Sequence, residues 1–176
     1  TATKDFAGEV FGGSTLPLGA NYDFSPGTAF RMKVWSTRPV PVLFKLEDAI
    51  SNDPNLGIER SETHPGGSTW VELCYDFAGS TGGFTSSAIT FIFDIGISGN
   101  ADADPNNWTF YYDEIEQDAS CTGAPATALP ADFESGSAPF SDFGGGVGDV
   151  ITNPDQSGLN TTAITGLMRK FSGETF

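Results

Sequence analysis

The sequence predicts an all-β fold, a β-sandwich of the jelly-roll type. Many short segments alternate apolar and polar residues with the period of a strand, and helical periodicity is almost absent. Composition agrees, because 22 Gly and 11 Pro supply frequent turns, while 15 Phe favour strands. Many short strands with frequent turns and no helices are typical of sandwiches and jelly rolls.

Five strands are predicted in the first two thirds of the chain. They cover residues 29–36, 40–47, 69–77, 88–96 and 108–116. In most of them one face is apolar and the other polar, as expected where one side of a sheet meets the core. The segment 88–96 is apolar on both faces, which indicates a central buried strand.

The chain divides into three parts of different character. Residues 1–117 carry the five strands and form the main body, and residues 118–131 are small, contain proline and lack alternation, as linkers do. Residues 132–176 have too few apolar side chains for a core of their own. We expect them to complete the sandwich of this copy or of a neighbouring one, because the body alone would expose unpaired edges. Their strand candidates are 132–134, 140–145, 148–153 and 166–173.

The charge balance is strongly acidic. With 8 Lys and Arg against 23 Asp and Glu, the formal net charge is −15. This argues against nucleic acid as a partner, since neutralising phosphates requires clustered Lys and Arg. It disfavours anionic polymers for the same reason, and no apolar run approaches the roughly twenty residues that span a bilayer. The balance favours a secreted or cell-surface protein.

Two cysteines and one histidine limit the metal and redox chemistry. Cys74 and Cys121 lack CxxC spacing, so a zinc or redox motif is not expected. In an oxidising compartment they could pair, and they could equally be free thiols. The single histidine, His64, lies in a Pro-Gly-Gly turn and cannot form a histidine cluster.

The two ends of the chain carry nearly the same six-residue sequence. FAGEVF at 6–11 is followed 165 residues later (171 − 6) by FSGETF at 171–176. Similarity over so long a period is the mark of arrayed modules. We therefore expect one period of a tandem array, whose own repeat starts near Ala131.

Several motifs resemble those of carbohydrate-binding modules of the family 4, 9 and 22 type, found in tandem repeats of secreted or surface proteins of marine Bacteroidetes. They are Phe133-Glu134, Asn153-Pro154, 158–161, and the strands FRMKVWS, VLFKLED, WVELCYDF, FIFDIG and YYDEI. The resemblance covers nearly the whole chain in permuted order, with the family's first third at 131–176 and the remainder at 1–117. It implies a jelly-roll sandwich that binds a glycan without catalysis.

Sugar-binding modules hold pyranose rings on aromatic side chains flanked by polar groups, so the resemblance implies a comparable face here. The candidate ligand-binding residues are Trp35, Arg31, Lys33, Trp70, Glu72, Trp108 and Asn107. Trp35 is the first candidate, because alternation places it with Arg31 and Lys33 on the face opposite the core. A neutral polysaccharide such as a β-glucan is favoured. The tryptophans could instead cover sheet faces, and a late segment docked there would bury them.

The resemblance also implies a structural calcium ion between the opening Phe-Glu pair and the closing aspartate. Those ligands would be Glu134 and Asp113, with Asp132 beside them, since hard oxygen ligands suit Ca²⁺. A weaker candidate is the loop that carries Asp102 and Asp104, which lacks the full twelve-residue calcium pattern. The alternative for these carboxylates is turn formation.

Catalysis is not expected. A chain this acidic always offers some pair of carboxylates, and neither a nucleophile elbow nor a phosphate-binding glycine loop is present. The alternative to glycan binding is a structural repeat of an adhesin or extracellular filament. Its partners would be identical copies, completed by residues 132–176 through strand complementation.

Overall fold

Two antiparallel sheets pack face to face in the computed structural model, so the predicted all-β sandwich is confirmed. The structure describes residues 10–47, 57–81, 85–97, 105–122, 127–128, 133 and 140–170. Over these ranges the helical content is one short 3₁₀ turn, Pro105–Trp108. None of the described residues belongs to a helix long and apolar enough to cross a membrane.

The first sheet contains β1 (Gly13–Pro17), β3 (Pro39–Glu47), β4 (Gly57–Pro65), β6 (Ala88–Phe93) and β9 (Ser141–Phe143). Its strand order is β4-β3-β6-β1-β9. All six residues of β6 are buried, because β6 has a neighbour on either side and apolar residues on both faces.

The second sheet contains β2 (Ala29–Ser36), β5 (Thr69–Asp76), β7 (Thr109–Asp118), β10 (Gly146–Thr152) and β11 (Ile164–Lys170). Its strand order is β10-β11-β7-β2-β5, and the two-residue β8 (Thr127–Ala128) pairs with the end of β7. A register shift between β2 and β7 gives β7 one extra residue there, a β-bulge next to Glu114, whose φ is +45°.

The predicted strands agree with β2, β3, β5 and β7 to within two residues at each end. The segment 88–96 ends earlier, at Phe93, because Asp94 takes a positive φ of 62° and a turn begins there. Three strands were not predicted: β1, β4 and the two-residue β8, which lies within the predicted linker. The edge strand β4 leaves most of its side chains in solvent and therefore lacks an apolar face, and β1 has only five residues.

The core between the sheets is built mainly from aromatic rings. Phe44 lies at its centre, with ring centroids 5.2 Å from Phe30, 5.0 Å from Tyr75 and 5.2 Å from Phe91. Phe30 and Tyr75 come from the second sheet, and Phe44 and Phe91 from the first, so the contacts of Phe44 with Phe30 and Tyr75 hold the two sheets together. Aromatic pairs in this geometry add about 0.5–1.5 kcal/mol each beyond their buried area.

The strands that follow the linker are integral to both sheets of the same chain. Strand β9 pairs with β1, and β11 pairs with β7. The ring centroids of Phe133 and Phe140 lie 5.6 and 6.0 Å from that of Tyr112, which points from β7 into the core. Gly166 of β11 is required beneath the same ring, because a Cβ there would lie 2.9 Å from two atoms of Tyr112.

Cys74 and Cys121 form a disulfide bond. It joins β5, at the edge of the second sheet, to the residues that follow β7. The sequence left pairing and free thiols open, and the structure pairs them.

His64 is a buried structural residue at the turn between β4 and β5. Its Nδ1 accepts a hydrogen bond from the Gly66 N–H at 2.9 Å, so Nε2 carries the proton and donates to the Thr69 carbonyl at 3.2 Å. Gly66 has a φ of +86°, and a Cβ there would lie 2.7 Å from Pro39 N, so only glycine fits. Burial lowers the pKa of His64, although its carbonyl partners act in the opposite direction.

We expect the folded protein to lose stability as the pH falls below about 6.5, the ordinary histidine pKa. Because the folded pKa is lowered, the unfolded chain binds the proton first, and the unfolding free energy therefore decreases as the pH falls through that value. NMR titration of this single histidine checks the shift, and urea unfolding between pH 5 and 8 checks the stability. A His64→Gln variant should lose most of the pH slope; an imidazole titrating at or above 6.5 would contradict the assignment.

Candidate functional site on the outer face of the second sheet

An apolar row crosses the outer face of the second sheet. Trp70, Trp35, Tyr111 and Leu167 are successive cross-strand partners on β5, β2, β7 and β11. They share this face because their neighbours in each strand point into the core. The Trp35 and Tyr111 rings meet edge to face, with centroids 5.3 Å apart and planes at 68°.

The β10–β11 loop (residues 153–163) lies across part of this face. The Trp70 indole N–H donates to the Asp155 carbonyl at 2.9 Å, and Lys33 Nζ donates to the Leu159 carbonyl at 2.7 Å. Lys33 also forms an ion pair with Glu114. Trp70 is only 4% exposed as a result, so it offers no surface to a ligand in this arrangement.

Asp113 fixes the β10–β11 loop to β7. Its Oδ2 accepts from Asn160 Nδ2 at 2.9 Å and from the Thr162 hydroxyl at 2.5 Å, and its Oδ1 accepts from the Glu114 N–H at 2.8 Å. Both Asp113 and Asn160 are fully buried. The Asn153 side chain braces the loop from within by donating to the Thr162 carbonyl at 2.9 Å.

The pKa of Asp113 is raised, because its desolvation outweighs the three hydrogen bonds that favour the carboxylate. This cost explains why the loop supplies two side-chain donors. A buried carboxylate without partners would be strongly unfavourable.

Arg31 is held by its own chain. Its guanidinium binds Glu72 at 2.5 Å and Asp118 at 2.8 Å, and it contacts the Ser120 carbonyl at 3.4 Å. The bond from Arg31 lowers the pKa of Asp118. The cross-strand partner of Arg31 is Cys74, so the disulfide lies beside this network. Arg31 and Glu72 therefore brace the segment after β7.

Trp108 and Asn107 lie elsewhere, at one end of the sandwich. The Arg38 guanidinium lies 4.3 Å from the Trp108 ring centroid, and it binds Asp94 through two hydrogen bonds of 3.0 and 2.6 Å. The Asn107 carbonyl accepts from Arg38 Nε at 2.7 Å. Trp108 therefore does not share a face with Trp35, and this cluster ties the β2–β3 turn to the end of β6.

Trp35 and Tyr111 are the part of the row that stays partly exposed. Trp35 Nε1 is shielded from solvent and has no hydrogen-bond partner among the residues described. What the indole presents outward is therefore ring carbon. An apolar ring surface bordered by charged groups is the kind of surface that can contact the apolar face of a sugar.

The calcium prediction rests largely on residues outside the described part of the chain, which excludes Glu134, Asp132, Asp102 and Asp104. Asp113 is described, and both its oxygens already accept hydrogen bonds, so a cation there would have to displace Asn160 or Thr162. Over the described ranges, no three His, Cys, Asp or Glu side chains form a group that could hold a metal. Calcium binding stays a prediction.

Tyr111 was missed in the sequence, although a signal for it was present. It alternates with Phe110 and Tyr112, which enter the core, so the period of the strand places it outward. The roles of Asp155 and Asn160 had no local signal, because their partners are distant in sequence. Comparison with known protein families and with curated proteins gives no match for this chain.

We expect Thr162→Val to lower the unfolding free energy by about 1.5–3 kcal/mol, the usual cost of losing a hydrogen bond to a charged group. Thr161→Val is the matched control, because Thr161 is exposed in the same loop and should change stability by less than about 0.5 kcal/mol. Urea unfolding of both variants makes the comparison. Equal effects would show that the contact with Asp113 does not stabilise the fold.

Proposed function

We propose that this chain is a non-catalytic glycan-binding module of a secreted or cell-surface protein. The observation that supports the proposal is the Trp35–Tyr111 pair, partly exposed on the outer face of the second sheet. A sugar ring would lie against these side chains, and hydroxyl groups would reach the charged groups of Lys33 and Glu114 beside them. Trp70, Arg31 and Glu72 support this surface from beneath or beside it.

The charge of the chain restricts the glycan to a neutral one. The net charge of −15 repels uronic and sulfated polymers. Two of the basic side chains on this face, Arg31 and Lys33, are already paired with carboxylates. A neutral glycan such as a β-glucan is not repelled by this charge, and the apolar faces of its pyranose rings match the apolar surface of the two side chains.

Affinity electrophoresis through laminarin, xylan and agarose tests the proposal. The protein should be retarded by at least one neutral polymer, and Trp35→Ala should weaken binding about tenfold or more, as removing a central aromatic contact commonly does. Tyr111→Ala should act in the same direction.

Tyr111→Phe is the matched control, because it keeps the ring and should keep most of the retardation. Thermal melts of each variant separate lost binding from lost folding. Absence of retardation on all three polymers, or normal retardation of a folded Trp35→Ala variant, would overturn the proposal.

A second candidate is a structural repeat of an adhesin or extracellular filament. One geometric observation favours an arrayed module: Gly146 lies between the start of β1 and the end of β11. It is the cross-strand partner of Lys170, and a Cβ on it would lie 2.5 Å from Gly13 O. The distance from Lys170 to Gly13 is therefore on the order of 10 Å, two strand spacings. In a repeat that runs from residue 176 directly to residue 12, the six residues 171–176 would connect the two strands, and six residues can span about 20 Å.

We therefore expect a permuted chain, running from 131 to 176 and continuing from 12 to 130, to fold into the same sandwich with the same disulfide. Its strand order along the chain is that of the repeat proposed from the similar sequences at 6–11 and 171–176. Circular dichroism melts and disulfide mapping make the comparison. A fragment of residues 12–122 is the control, since it lacks β9, β10 and β11 and should not melt cooperatively. A permuted chain that fails to fold would count against the tandem-repeat proposal.

A further inference from the structure

Strand β10 is one of the two edges of the second sheet, opposite β5, and its sequence makes it prone to pair. Its residues GVGDVIT are mostly apolar or glycine, and Val147 is 38% exposed. A regular apolar edge offers unpaired N–H and C=O groups to any other strand, so natural sheets block such edges. An edge of this kind therefore has to be blocked if β10 is not to pair with another chain.

The direction of the β10 backbone groups follows from one hydrogen bond. The Asn153 N–H donates to the Ala163 carbonyl at 2.9 Å, so the backbone of residue 153 faces β11. Alternate residues of a strand direct their backbone groups to opposite sides. The N–H groups of Gly148 and Val150, an odd number of residues earlier, therefore point away from β11, toward the free edge.

Both of these edge N–H groups are bound by carboxylates of the chain itself. The Gly148 N–H donates to Asp142 Oδ1 at 2.8 Å, and the Val150 N–H donates to Asp149 Oδ1 at 2.8 Å. The hydroxyl of Ser14, the cross-strand partner of Asp142 in the first sheet, also donates to Asp142 Oδ1, at 2.7 Å, and so fixes the carboxylate that reaches Gly148 of the second sheet. An incoming strand needs the same two N–H groups.

The other sheet edges are protected in different ways. On β5 the Asp76 carbonyl accepts from Arg60 Nε at 2.8 Å, so a side chain from β4 occupies that edge. Strand β4 carries the exposed polar residues Glu59, Ser61 and Glu62, and β9 has only three residues. Among these four edges, β10 is the apolar one, and two of its edge N–H groups, those of Gly148 and Val150, donate to carboxylates.

We propose that Asp142 and Asp149 are edge-blocking residues, which keep β10 of one copy from pairing with β10 of a second copy. They act by occupying the two edge N–H groups. They also act by charge, because an antiparallel pair of β10 strands would bring four carboxylates together in a chain whose net charge is already −15. The block leaves β10 unavailable in any array of such modules.

Sedimentation velocity over a range of concentrations tests this with the Asp142→Ala/Asp149→Ala variant of the whole chain. The unmodified protein should sediment as a monomer over this range, whereas the double variant should dimerise at concentrations at least about tenfold lower than any at which the unmodified protein associates. Adding Val150→Pro should return the double variant to the behaviour of the unmodified protein, since proline removes an edge N–H that the ladder to β11 does not use.

The matched control is Asp23→Ala/Asp76→Ala, which also removes two exposed carboxylates that accept backbone N–H bonds, away from β10. It should not associate. Should the double variant fail to fold, Asp149→Ala alone keeps the Ser14 contact, and amide exchange of its Val150 N–H should be at least about tenfold faster. A folded double variant that stays monomeric, equal association of the control, or unchanged Val150 exchange would overturn the proposal.

Discussion

The contact between Asp113 and the β10–β11 loop is the constraint on which the outer side of the second sheet depends. Asp113 is buried, and a carboxylate in that position is tolerated only while Asn160 and Thr162 donate to it. The loop must therefore stay in place across β7. In that position its backbone carbonyls meet Trp70 and Lys33, and only part of the aromatic row remains exposed. The shape of the candidate site thus follows from one buried acid.

The same strand is anchored on its inner side as well. Tyr112, next to Asp113 in β7, points into the core, where Phe133 and Phe140 pack on its ring. Gly166 of β11 is the cross-strand partner of Tyr112 and leaves room for that ring, since a Cβ there would lie 2.9 Å from two of its atoms. Residues 140–170 therefore contact both faces of β7, through apolar contacts on the core face and hydrogen bonds on the outer face. These contacts make the segment, which the sequence predicts to be too poor in apolar residues for a core of its own, part of the sandwich.

Much of the fold was predictable because period-two alternation is a local property. It identified β2, β3, β5 and β7 and placed Phe30 and Tyr75 in the core. It failed for β4, an edge strand that leaves most of its side chains exposed and lacks an alternating apolar face.

The candidate site was less predictable, because alternation tells which face a side chain occupies and not what covers that face. Trp70 and Asp155 are 85 residues apart, and Lys33 and Leu159 are 126 apart. The expectation of an exposed Trp70 could not foresee a loop brought from so far along the chain. Neither could the sequence choose between free thiols and a bond for Cys74 and Cys121, since their separation says nothing about their distance in space.

That disulfide has a mechanical consequence for a chain that carries load. Gly13 at the start of β1 and Lys170 at the end of β11 lie at one corner of the sandwich, so tension applied to the chain beyond these two strands would strain β1 and β11 first. Extension would then halt at the covalent bond, because Cys74 and Cys121 are 47 residues apart in sequence. The bond withholds roughly 160 Å of contour length from the stretched chain. Under pulling forces the residues between Cys74 and Cys121, which include β6 and β7, would not be extended.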